Sequence, residues 1–94
     1  MIKFSGELDR VYTGAESDIE IVVGGKPSLK IKRDGLPDVV VWNPWVEKSK
    51  GMSDFGPEDG FKKMVCVEAG NVDKWAKLDG GETWEGQQIL KAQL

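Results

Sequence analysis

Ninety-four residues allow one domain with a modest core. Hydrophobic residues make up 39% and charged residues 31%, a balance that suits a globular fold and speaks against disorder. The net charge of −3 comes without a basic patch, which argues against a nucleic-acid partner, and no apolar run is long enough to span a membrane.

In chain order, period-two alternation dominates. Residues 8–13 read as a first strand. In residues 17–23, Ile19, Ile21 and Val23 fall on one face and Asp18 and Glu20 on the other. In residues 28–33, Leu29 and Ile31 alternate with Lys30 and Lys32. Gly24-Gly25 between these two segments is a hairpin signal, because tight hairpin turns need positive φ; Asp34-Gly35 is a second turn signal. Residues 39–42 and 64–67 are apolar on both faces, as expected of the most buried, central strands. Residues 44–53 are the one helical candidate, and Gly51, Gly56, Pro57 and Gly60 confine helix to a turn or two before residue 59. Residues 84–94 alternate again and predict a last strand. The expected architecture is all-β, an antiparallel sandwich of five to seven strands in two packed layers.

Other chemistries fall away early. The chain has no histidine and one cysteine, so neither a zinc or haem site nor a Ser-His or Cys-His pair is expected, and no cofactor or metal is implied. Cys66, flanked by valines, reads as a small buried hydrophobe without a disulfide partner. The stretch MIKFSGELDR lacks the apolar core of a secretory signal, which makes the cytoplasm the expected compartment.

Two segments carry the functional signal, LPDVVVWNPW and MVCVEAGN, with the Lys48–Gly56 loop between them. A carboxylate in MVCVEAGN is costly if buried without a partner. Together with GELDRVY and the closing G-E-x-W, these blocks resemble the C-terminal part of the hexose-6-phosphate mutarotases of the aldose-1-epimerase superfamily. The resemblance covers nearly the whole chain but only the last third of the family's β-supersandwich. It implies a single β domain that is a fragment of a longer mutarotase domain.

The resemblance also implies a chemistry and its residues. Mutarotation interconverts the α and β anomers of a hexose 6-phosphate through the open-chain aldehyde, using a base at the C1 hydroxyl and an acid at the ring oxygen. Glu68 matches the family's general base, and partial desolvation at a strand end would suit it to that role. The family's acid is a histidine, which this sequence lacks, so the chain is expected to supply the base-bearing half of the site and to be inactive alone. Asp9 matches a sugar-binding aspartate; read without the resemblance, it pairs with Arg10 or a cross-strand lysine. Trp42, Asn43 and Trp45 offer an apolar platform and a polar hook for the sugar, or else core packing. Lys48 and Lys50 either attract the phosphate or are simply solvated. A non-catalytic carbohydrate-binding or interaction β-module is the alternative function. Either way, uncovered strand edges predict a dimer or higher homo-oligomer.

Overall fold

The computed structural model describes residues 2–15 and 18–93. Six strands form two antiparallel three-stranded sheets, as the all-β reading expects. The strands are β1 (Leu8–Tyr12), β2 (Ile19–Val23), β3 (Lys26–Asp34), β4 (Asp38–Asn43), β5 (Cys66–Gly70) and β6 (Gln87–Ala92). The first sheet has the order β1-β4-β5 and the second β2-β3-β6. Ser17 and Leu94, which alternation assigned to strands, lie outside the described residues. Among the described residues, no helix is long and apolar enough to cross a membrane.

The β2–β3 hairpin turns through Gly24 and Gly25, both at positive φ (59° and 77°), where a side chain would be strained. β3 is longer than alternation predicted because it includes Pro27. The proline sits where the pairing with β2 slips between Ile21 and Val22, so its missing N–H costs the ladder little. Gly35, at φ 73°, lets the chain leave β3 against the backbone of Glu85; a Cβ there would collide with the Glu85 carbonyl.

β4 is the central strand of the first sheet and the most buried element, as its continuous apolar run predicted. Val39 and Val41 are buried, with Val67 and Ala69 opposite them on β5. In the second sheet Ile31 is the one buried hydrophobic residue.

Other boundaries also differ from expectation. β5 begins at Cys66 rather than residue 64, and residues 64–67 are half-buried rather than buried, because Met64 lies outside the ladder and gives its carbonyl to a side chain of β4. Helix α1 (Trp45–Lys50) falls inside the predicted interval, but a 3-10 turn (Gly60–Lys63) follows beyond it, held by the buried ring of Phe61. β6 starts at Gln87, three residues late, and is exposed along its whole length.

Candidate functional site

Strand pairing decides which predicted residues meet. On the first sheet Asp9 lies opposite Trp42, and Trp42 opposite Cys66; in the next row on the same face, Val11 lies opposite Val40, and Val40 opposite Glu68. Side chains two residues apart on a strand share a face, so Asp9, Trp42, Cys66 and Glu68 all project from one side of the sheet. The strand spacing and rise put the Cα atoms of Asp9 and Glu68 roughly 12 Å apart along the diagonal, with Trp42 between them. Asp9 and Glu68 are exposed and Trp42 is half-buried. The partial burial expected for Glu68 is not observed: its side chain is exposed.

Cys66 is less buried than its valine flanks predict. It is half-buried and lies beside Glu68. Burial pushes its thiol above the ordinary value, and the Glu68 carboxylate adds to the rise. Lys48 comes to this end of the sheet from α1 and pairs with Glu7. Hydrogen bonding to Glu7 raises its pKa, Glu7's charge adds to this, and Asp9 contributes at longer range against partial desolvation. Lys50 lies elsewhere, on a cleft of about 470 Å³ lined by Val46, Pro57, Glu58, Asp59, Phe61 and Lys62.

Asn43 faces the other way. It follows Trp42 in β4, so its side chain enters the opposite side of the sheet, where it is fully buried. Its amide nitrogen donates to the carbonyls of Phe61 and Met64, each at 2.8 Å, and its Oδ1 accepts from the Trp45 N–H at 2.9 Å. These bonds pin the 3-10 turn and the start of α1 to the end of β4. Trp45 starts α1 at φ 57°, a strained value for a bulky residue, and its ring packs edge-on against Phe4 and Phe61. The two tryptophans of WNPW thus part: Trp42 stays with Asp9 and Glu68, and Trp45 joins an internal aromatic cluster.

Sequence reasoning missed Asp38. It opens β4 on the same face as Val40 and Trp42 and is buried. Its Oδ1 accepts from the Gly14 N–H at 3.2 Å, and its Oδ2 from the N–H groups of Val72 and Asp73 at 2.8 and 2.9 Å. One carboxylate on the central strand therefore ties the turn leaving β1 to the loop leaving β5, the two strands that carry Asp9 and Glu68. The N–H groups of Asp73 and Val72 hold the Asp38 carboxyl below the usual carboxylate range; burial works against them, while Gly14 and the charge of Lys74 assist. The available signal was an acid abutting the apolar run VVVW, the same cost that drew attention to Glu68.

Among the described residues, no group of acidic, cysteine or histidine side chains could hold a metal ion. The open face is instead an aromatic ring flanked by two carboxylates, an arrangement able to stack on a sugar and accept its hydroxyl protons.

Comparison with known proteins bears on the same residues. The aldose 1-epimerase family model matches residues 1–91. The chain belongs to the aldose 1-epimerase family. A protein of Cenchrus ciliaris named as a glucose-6-phosphate 1-epimerase is 45% identical over 92 residues, covering 97% of this chain and 28% of the relative. A Haemophilus influenzae protein of the same name is 27% identical over 88 residues, covering 93% of this chain and 30% of the relative. The chain therefore spans less than a third of the length of these epimerase relatives.

Proposed function

We propose that this chain supplies the base-bearing part of a hexose-6-phosphate 1-epimerase site. The observation that supports this most is the grouping of Asp9, Trp42 and Glu68 on one exposed sheet face. In this reading the pyranose lies over the Trp42 ring and Asp9 accepts hydrogen bonds from sugar hydroxyls. Glu68 takes the proton from the C1 hydroxyl. As the C1–O5 bond breaks, an acid delivers a proton to the ring oxygen, giving the open-chain aldehyde. Rotation about C1–C2 and reclosure with the two groups exchanging roles return the other anomer, with no net change in protons. The acid is not a histidine of this chain, since the sequence has none; it comes from the part of an epimerase domain that this chain does not match. Asn43, with its amide committed to three backbone groups, has a structural part in this reading rather than a substrate-binding one.

The companion reading, a carbohydrate-binding module without catalysis, draws on the same open face and on the missing histidine. Titrating the isotope-labelled chain with glucose 6-phosphate tests what both have in common. Amide shifts concentrated at Asp9, Trp42 and Glu68, sparing Val41 and Asn43 on the other face, are expected. Shifts confined to Lys50 and its cleft, or none at all, would overturn the sugar-site reading.

A further inference from the structure

β5 carries Glu68, yet it is an edge strand, paired with β4 alone among the described strands. A strand held from one side frays from its ends. The ladder runs from Trp42↔Cys66 to Asp38↔Gly70, so Glu68 stands two residues from either end of it. Both ends are closed by buried side chains of β4. At the entry, the Asn43 amide donates to the Met64 carbonyl at 2.8 Å. At the exit, Asp38 Oδ2 accepts from the N–H groups of Val72 and Asp73 at 2.8 and 2.9 Å. Met64 lies four residues before Glu68 and Val72 four residues after it, so the two anchors bracket it evenly.

The Asp38 carboxylate is itself held in orientation. Its Oδ1 accepts from Gly14 on the opposite flank of β4, and that turn is fixed in its own right. The Ala15 N–H donates to the Pro37 carbonyl at 2.9 Å, and Arg33 Nη2 donates to the Ala15 carbonyl at 2.8 Å. An ionised carboxylate at 3% exposure is costly to bury, and a strand can end on an apolar residue at less cost. What the carboxylate alone supplies is two acceptor oxygens without a donor, one turned to each flanking strand.

We infer that Asp38 is a positioning residue for Glu68: with Asn43 it anchors β5 to β4 at both ends and so fixes the place of the Glu68 carboxylate on the face shared with Asp9 and Trp42. Asp38 touches neither the sugar nor the reacting atoms in this account and acts through Glu68. The catalytic meaning of the placement rests on reading Glu68 as the base; the placement itself does not.

The test reads Glu68 through Cys66, its neighbour on the same face, as the pH of half-maximal reaction of the thiol with a disulfide reagent. Glu68→Gln removes the carboxylate and should lower this midpoint; no fall would mean that Glu68 does not stand beside Cys66, and the proposal would go with it. Asp38→Asn should lower it too, because an amide sets an N–H against donors that the second oxygen had accepted, and the freed strand end carries Glu68 away. On the Glu68→Gln background, Asp38→Asn should add nothing. A further fall in the double variant would show that Asp38 acts on the burial of Cys66 or by its own charge, and would overturn the proposal, as would an unmoved midpoint in an Asp38→Asn chain folded by circular dichroism. A chain with an ester in place of the Val72 amide, joined from residues 1–65 and 66–94 at Cys66, loses one donor and keeps every side chain and charge. It should show part of the Asp38→Asn fall, and it decides the matter if Asp38→Asn does not fold; an unmoved midpoint there overturns the proposal. In the chain assembled with the remainder of an epimerase domain, Asp38→Asn should slow glucose 6-phosphate anomer exchange at saturating sugar by about 10²-fold. An unchanged rate where Glu68→Gln abolishes exchange overturns the proposal, whereas exchange that Glu68→Gln leaves intact overturns the base reading and not the placement.

Discussion

Replacing Asn43 with alanine separates a structural role from a sugar-binding one. The side chain is 0% exposed and serves two carbonyls and one N–H, all of the backbone. Alanine strands all three. Each buried bond lost costs about 1 kcal/mol, and more where the group left behind finds no water, so the total is about 3–4 kcal/mol. A chain of this size has about 5–14 kcal/mol in all, so the variant loses a large share of its stability. With a urea dependence of about 1 kcal/mol/M, the midpoint followed by tryptophan fluorescence should fall by roughly 3 M. Asn43→Asp keeps the shape and can still accept from Trp45, but it sets an oxygen against the Phe61 and Met64 carbonyls, so it should be at least as damaging. A midpoint shift below roughly 0.5 M, coupled with a large loss of glucose 6-phosphate binding, would refute the reasoning and make Asn43 a substrate contact.

Three further outcomes are expected. The Asp38 clasp should be acid-labile. Its carboxyl is held below the ordinary aspartate value, so its stabilisation is complete above that value and is lost as pH falls through the lower, folded one. Protection factors at Gly14, Val72 and Asp73 should therefore collapse together below that value, and Asp38→Asn should remove the protection at every pH; independent behaviour of the three amides would break the clasp. In Cys66, burial is the larger cause of the raised thiol pKa and Glu68 the smaller. Glu68→Gln should thus lower the pH of half-maximal reaction with a disulfide reagent, but only part of the way to the ordinary thiol value, and no movement would mean that the two side chains are not neighbours. Ile31, 2% exposed in the second sheet, should cost about 2–4 kcal/mol on truncation to alanine, read in the same urea assay, and a loss under about 1 kcal/mol would show that this sheet has no packed centre.

The strands were legible where one face is buried and the other is not. Ile19, Ile21, Leu29 and Ile31 alternate cleanly because the β2–β3 hairpin has two unlike faces, and Gly24-Gly25 announced its turn. The burial of β4 was legible from its unbroken apolar run. The start of β5 was not, because Met64 and Val65 are as apolar as the strand that follows, and hydrogen bonding to Asn43, not hydropathy, takes Met64 out of the ladder. Nor was the 3-10 turn, where Gly60 suggested a loop and the burial of Phe61 decided otherwise. Of the candidate site, the face shared by Asp9, Trp42 and Glu68 depends on the pairing of three strands far apart in sequence, which local alternation cannot specify. Asn43 and Trp42, adjacent in sequence and read together as platform and hook, were bound to point to opposite sides once they lay in one strand.

The most direct test of the central claim, that Glu68 is the base of an anomerase site completed by groups beyond this chain, is saturation transfer between the α and β anomers of glucose 6-phosphate. The isolated chain should give no enzymatic exchange, and the chain assembled with the remainder of an epimerase domain should give exchange that Glu68→Gln reduces by about 10²–10⁴ while sugar binding is largely kept. Robust exchange by the isolated chain, or exchange by the assembly that survives Glu68→Gln, would contradict it.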